Sequence, residues 1–352
     1  MLFLPLGMRG RREQVKKMKI LGGSLATRLK KFQRHFGDML PHVTAGKISN
    51  ALRAEYEYRK GRNHVKSRPY WLKVETSRIC NLSCPGCYAH GRDEDLSYPG
   101  EDNKHRLMSF DMFKEIIDQV KRHVFAIQLY DEGEPLLNPD IYRMVRYAHE
   151  ANVGTVISSN FSMVLRDEDF ENMVNFGLDH LVVGIDGITQ EIYEKTRVKG
   201  NLERVIDNTR RLIRTKRRLK RKKPLVEIQF LQKPFNLHEQ EGVEKLAGEL
   251  GADMFTPVKL ALFWVAGEPV QVPPPARCPI PWSTLVIQWN GDVTVCPLTD
   301  SPQLFSGQSI ADKSLGSILN SDYYHRIRDQ HIYLGQKEKV IAPVCLDCGF
   351  RR

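Results

Sequence analysis

WLKVETSRICNLSCPGC, residues 71–87, sets a β-rich run directly before three cysteines, Cys80, Cys84 and Cys87. A metal site closed by protein alone takes four ligands, so three thiols on one loop leave a position open. The run at 71–76 is the first of six candidate strands. The others are 125–130, 153–159, 180–186, 225–231 and 253–259. Amphipathic stretches separate them, such as SFDMFKEIIDQVKRH at 109–123, which starts on a capping serine, Ser109. Repeated β–α units predict a parallel sheet with right-handed crossovers. The expected fold class is α/β, a partial (β/α)6 TIM-like barrel with its site at the C-terminal strand ends.

The 352 residues carry a formal net charge of +11, and 41% of them are hydrophobic. That composition is ordinary for a globular protein able to bury a sizeable core without disulfides. The opening MLFLPL is too short to span a bilayer and lacks the apolar core of a signal peptide. The expected location is the cytoplasm, with possible contact at the inner membrane face. In a reducing compartment clustered cysteines point to metal rather than to disulfides. The charge is uneven. Residues 1–70 hold 17 Lys/Arg and 4 Asp/Glu, and a second run, RLIRTKRRLKRKK at 211–223, has nine basic residues in thirteen.

Iron–sulfur clusters are held by thiolates, and three protein ligands on four irons leave one iron for a substrate or cofactor. The spacing CxxxCxxC after a first strand resembles the radical SAM superfamily. The resemblance implies a [4Fe–4S] cluster on Cys80, Cys84 and Cys87 whose open iron binds S-adenosylmethionine. Gly86 stands at a position that is often aromatic in that family. DEGEPLLNP at 131–139 resembles the motif that holds the SAM amino group, with Gly133, Glu134 and Pro135 matching and Glu132 replacing a glycine. Ser159 and Asn160 fall where the family contacts ribose and carboxylate. GIDG at 184–187 resembles the fourth-strand motif. Asp186 is retained, and Gly184 replaces the usual serine, which removes a hydroxyl. Arg197 resembles the arginine that meets the SAM carboxylate, a charge-assisted pairing.

Four cysteines remain: Cys278, Cys296, Cys345 and Cys348. Their number suits one tetrahedral zinc site or one fully ligated cluster, and spacing alone leaves both open. Cys278 and Cys296 flank a predicted hairpin at 285–297, joined at Asn290-Gly291 in a type I′ turn. A helix is predicted over 314–329. A cysteine, a hairpin, a second cysteine and a late CxxC after the barrel resemble the SPASM/twitch extension. That resemblance implies a second, auxiliary [4Fe–4S] cluster able to accept an electron from a substrate radical.

The expected division is a basic helical N-terminal arm at 1–70, a partial barrel at 71–270 and an auxiliary-cluster domain at 271–352. In the arm, Leu25, Leu29, Phe32, Phe36 and Leu40 recur at helical spacing among Lys and Arg. That pattern suits either a helix on anionic lipid or a stripe docked on the barrel. The run at 211–223, between a helix and the fifth strand, is read as a solvated loop or as a contact for a membrane surface or an acidic partner. Nucleic acid is not favoured, since no RNA-binding module and little aromatic interleaving are visible. The expected activity is a radical SAM oxidoreductase acting on a small or lipid-linked polar molecule, with flavodoxin or ferredoxin as reductant. Modification of a ribosomal peptide is the alternative substrate class. A zinc-stabilised binding module without catalysis is the alternative of another kind. No general base is assigned.

Overall fold

The computed structural model describes residue 37 and residues 39–87, 106–259, 277–297, 304–333 and 336–345. Within these, one sheet holds nine strands: β1 Trp71–Val74, β2 Ala126–Gln128, β3 Gly154–Ser159, β4 His180–Gly184, β5 Leu225–Gln232, β6 Met254–Lys259, β7 Thr284–Ile287, β8 Asp292–Thr294 and β9 Phe305–Ser309. The spatial order is β6-β5-β4-β3-β2-β1-β7-β8-β9. The first six strands are parallel, as their alternation with helices predicts. β7 then adds beside β1, also in parallel, with Lys73 opposite Val286. The C-terminal piece therefore prolongs the barrel sheet.

The helices are α1 Ala45–Arg59, α2 Phe110–Val120, α3 Ile141–Glu150, α4 Asp167–Asn175, α5 Gln190–Thr196, α6 Leu202–Arg218, α7 Gln240–Leu250, α8 Leu315–Leu319 and α9 Asp322–Ile332, with a helical turn at Ile280–Ser283. Ser109 caps α2 by accepting the Met112 N–H, as its place in the sequence predicts. Alternate strand residues face the helices. Leu72, Val74, Ile127, Leu181, Val183, Val226, Ile228 and Phe230 pack with Phe113, Ile116 and Ile117 of α2 and Met144 and Val145 of α3. Each such side chain contributes about 1.5–3 kcal/mol on burial. The intervening residues point to the opposite face of the sheet, where polar Lys73, Gln128, Ser158 and Gln229 stand among Val156 and Val182. No helix among the described residues is long and apolar enough to cross a membrane.

Three local expectations are corrected. The hairpin turns at Gln288, Trp289, Asn290 and Gly291. Only Gly291 has positive φ, at 90°. Its N–H bonds Gln288 O at 2.9 Å, and the Gln288 N–H bonds Asp292 O at 2.8 Å. This is a type I turn followed by a bulge, since type I′ needs positive φ at both central residues. The helix predicted over 314–329 is broken. Asn320 bonds both backbone groups of Val65, and Ser321 caps the next helix by accepting Tyr324 N–H. The basic run is not all loop. Residues 211–218 complete α6 because Leu212 and Ile213 extend its buried stripe, and Lys216 is buried against Asp253 at 2.7 Å.

Helix α1 is the described part of the arm. Residues 1–36 and 38, with most of the stripe read from them, lie outside the described residues. The helix crosses the N-terminal ends of the strands. Lys47 Nζ donates to Asn152 O ahead of β3, at 2.5 Å. Asn50 bonds the Arg68 backbone, and Glu57 accepts the N–H groups of Lys66 and Ser67 ahead of β1. Tyr58 bonds Arg277 ahead of β7. Before the helix, His42 lies 3.1 Å from Asp179, ahead of β4. The arm thus closes the end of the barrel remote from the cysteine loop.

Candidate functional site

The loop after β1 carries Cys80, Cys84 and Cys87. The Cys87 N–H donates to Cys84 O at 3.2 Å, closing a tight turn. Gly86 has φ of 81°, a left-handed conformation that disfavours the aromatic side chain often found there. The Leu82 N–H points at Cys80 Sγ at 3.4 Å, and Asn160 Nδ2 lies 3.7 Å from the same sulfur. The Ser83 N–H donates to Val198 O at 3.0 Å. Cys87 Sγ sits 3.5 Å from Glu132 O. Burial pushes the Cys80 thiol up to about 11, with the Leu82 N–H pulling the other way.

Asp131, Glu132, Gly133, Glu134 and Pro135 leave the end of β2 and pack on that loop. A Cβ on Gly133 would overlap Ser77 O and lie 2.7 Å from Ser77 C, so only glycine fits against this backbone. The Glu134 N–H donates to Ile79 O at 2.9 Å. Its carboxylate accepts from Asn160 N at 2.8 Å and from Leu136 N at 3.1 Å. Burial pushes the Glu134 carboxyl up to about 7, while these N–H donors and the Ser159 side chain draw it down. Ser159 Oγ accepts the Phe161 N–H at 2.9 Å, and Asn160 Nδ2 bonds Asn81 Oδ1 at 2.9 Å. Phe161 holds φ of 55° while fully buried, a strained position fixed by Ser159 and by Asn208, which bonds its carbonyl. Glu134, Ser159 and Asn160 therefore lock the ends of β2 and β3 to the cysteine loop.

Arg197, which ends α5, reaches back to β4. Its Nε lies 2.7 Å from Asp186 Oδ2, and Asp186 Oδ1 accepts the Leu231 N–H at 2.7 Å. Burial alone would lower the Arg197 guanidinium, but Asp186 and then Cys84 more than offset it and hold it above its ordinary value. Gly184 lies under this guanidinium, and a Cβ there would stand 2.8 Å from Arg197 Cζ. The missing hydroxyl at 184 is thus space taken by Arg197. Gly184→Ser is expected to push Arg197 off Asp186, costing about 1 kcal/mol. Isothermal titration should show weaker S-adenosylmethionine binding, and unchanged affinity would discount this packing.

Tyr193 was not singled out from the sequence, although it opens YEKTR at 193–197. It is fully buried, and its hydroxyl has no hydrogen-bond partner among the described residues. Burial raises its pKa, with Arg197, Asp186 and Cys84 acting on it as nearby charges. An unpartnered buried hydroxyl is costly unless something further bonds it. With Cys80 and Cys84 beside Arg197, Cys87 on the same loop, and an orphan hydroxyl facing the same group of charges, the donor set suits a thiolate-held cluster and a polar ligand.

In the C-terminal part, Cys278 is buried ahead of β7, and Cys296 follows β8 and packs on the core. Cys345 ends the turn Pro343–Cys345 and acts on Tyr323 as a nearby charge. Gln330 of α9 holds this segment through Ile341 N and both backbone groups of Ala342. Cys348 lies outside the described residues. Among the described residues no three His, Cys, Asp or Glu side chains gather around one ion-sized point. Lys73 links the two halves. Its Nζ pairs with Asp131 and donates to Pro297 O at 3.2 Å, the residue after Cys296. Burial lowers Lys73, but Asp131 outweighs this and keeps it cationic. A cleft of about 600 Å³ lies elsewhere, on the outer surface by α5 and α6, and touches none of these residues.

Residues 74–220 match the radical SAM superfamily, and residues 278–349 match an iron–sulfur cluster-binding domain, SPASM. The chain is a radical SAM protein with a SPASM-type C-terminal domain. Its cofactors are S-adenosylmethionine and [4Fe–4S] clusters. It is similar to the Fe-coproporphyrin III synthase of Methanosarcina barkeri, 28% identical over 163 residues, which are 45% of this chain and 38% of that protein. It is also similar to the mycofactocin maturase MftC of Mycobacterium tuberculosis, 28% identical over 139 residues, 39% of this chain and 33% of that one. These matches span under two fifths of each relative. In fold it resembles SuiB of Streptococcus suis bound to S-adenosylmethionine. The TM-score is 0.60 at 16% identity, covering 86% of this chain and 75% of that chain.

Proposed function

We propose that the protein is a radical SAM oxidoreductase that takes a hydrogen atom from a small polar substrate and passes a second electron to an auxiliary cluster. In this reading Cys80, Cys84 and Cys87 hold the cluster that binds S-adenosylmethionine. Cys278, Cys296, Cys345 and Cys348 hold the auxiliary one. When bound and reduced, the first cluster supplies the electron that splits S-adenosylmethionine and yields a hydrogen-abstracting radical. Arg197, kept cationic by Asp186, attracts the ligand carboxylate. Gly133, Glu134, Pro135, Ser159 and Asn160 fix the loop positions around it. The reading keeps the division into 1–70, 71–270 and 271–352, with flavodoxin or ferredoxin as electron donor.

The observation that carries the oxidative reading is Lys73. It joins the loop of Asp131, beside the first cysteine set, to the carbonyl following Cys296, beside the second. Both loops therefore border one polar interior, lined on the same sheet face by Gln128, Ser158 and Gln229. Polar side chains on this face, with the Lys73–Asp131 pair, favour a polar substrate. A lipid-linked one is not carried forward, because α1 and its exposed side chains lie at the opposite end of the strands. Peptide modification is a second reading, favoured by the similarity to MftC. The test is oxygen-free incubation with S-adenosylmethionine and dithionite. Release of 5′-deoxyadenosine is expected, and its absence from iron-replete protein would overturn the reading. A precursor peptide encoded beside the gene that gains mass changes only in this mixture would favour the second.

A further inference from the structure

Helix α1 is inside out. Its inward residues are polar apart from Ala54: Lys47 is 1% exposed, Asn50 9% and Glu57 6%. Its outward row is apolar: Ile48 is 44% exposed, Leu52 66% and Tyr56 53%. Positions 48, 52 and 56 share one helix face. Leu40 and Val43, just ahead of the helix, are exposed as well. A surface helix ordinarily turns its apolar stripe to the core. Here the inner face satisfies backbone groups at the strand starts, and the apolar face is left outward.

The rim of this row is cationic. Arg53, Arg59, Lys60 and Arg62 are exposed along and just beyond α1. The turn ahead of β5 adds exposed Lys220, Arg221 and Lys222, and Lys223 Nζ reaches Gly37 O at 3.4 Å. The two basic stretches, far apart in sequence, thus lie at the same end of the barrel, where the strands begin. Among the described residues from 37 to 66 the acids are Glu55, bonded to Arg59 at 2.5 Å, and Glu57, which is buried.

We infer that this face docks on an anionic lipid surface, with the apolar row in the interface and the cations on headgroups. An exposed apolar row edged by Lys and Arg is the pattern of an interfacial helix. Each such cation near an anionic leaflet contributes about a fivefold gain in binding. A second copy of the chain would set like charges against each other across a two-fold axis. Nucleic acid would engage the cations but has no use for the exposed aliphatic side chains. The catalytic mouth then faces water, away from the bilayer. This inference does not rest on the proposed function.

The test is co-sedimentation of the full cluster-loaded chain with phosphatidylcholine vesicles, with and without phosphatidylglycerol. Wild type is expected to pellet with the anionic vesicles and to be released by salt. Ile48→Glu with Leu52→Glu, and separately Lys220→Glu with Arg221→Glu and Lys222→Glu, are each expected to weaken binding about tenfold or more. Both variants should split S-adenosylmethionine at the wild-type rate, which shows that they fold. Failure of wild type to pellet overturns the inference. So does full binding by the Ile48→Glu, Leu52→Glu variant, which would assign the contact to residues 1–36. A dimer lost in that variant would point to self-association, and tighter binding to duplex RNA than to vesicles would point to nucleic acid. Either would also overturn it.

Discussion

Replacing Cys80, Cys84 and Cys87 together by alanine is expected to abolish reductive cleavage of S-adenosylmethionine and to lower iron from about eight to about four per chain. The three thiols sit on one loop, so the triple replacement removes every protein ligand proposed for that cluster. The second cluster is expected to persist. Cys278 and Cys296 flank the β7–β8 hairpin, and Gln330 holds the segment leading to Cys345, so each sits on C-terminal elements rather than on the β1 loop. Electron paramagnetic resonance of the reduced variant should retain one cluster signal. A variant that still releases 5′-deoxyadenosine at the wild-type rate would sink the assignment. Loss of all iron would show that the two sites are not independent.

Gly133→Ala is expected to be the most damaging single substitution that adds only a methyl group. The new Cβ would overlap Ser77 O and stand 2.7 Å from Ser77 C and 2.8 Å from Arg78 C. These are backbone atoms, so no side-chain rotation relieves the clash. The chain at 77–79 must move, and it leads directly into Cys80. The Glu134 N–H bond to Ile79 O is strained at the same time. Overpacking of this kind costs about 3 kcal/mol. Thermal unfolding should show a clearly lower midpoint, and S-adenosylmethionine binding should fall. Gly248→Ala is the control. It lies inside α7 with nothing within 4 Å of its Cβ, so it should stabilise by about 0.5–1 kcal/mol. Equal midpoints for the two variants would discount this packing.

Six strands, their parallel order and the cysteine loop were legible because each leaves a local mark. Apolar alternation, caps such as Ser109 and the CxxxCxxC spacing are written within a few residues. The hairpin's place was legible, while its turn type was not, because Asn290-Gly291 serves a type I turn with a bulge as well as a type I′ turn. The break at Asn320 was hidden for another reason. Its side chain is called away by Val65, 255 residues earlier.

The sequence by itself determined the strand and helix succession, the three-thiol loop and the uneven charge. Only the tertiary structure decided that Gly184 is empty to admit Arg197, that β7 joins β1, that Lys73 spans the two cysteine regions, and that Lys223, at the end of the 211–223 run, reaches Gly37 ahead of α1. It alone showed that α1 turns its apolar row outward. Periodicity marks which residues share a face but not which way that face points. Direction is set by partners distant in the chain, and for α1 these are the unpaired backbone groups at the strand starts.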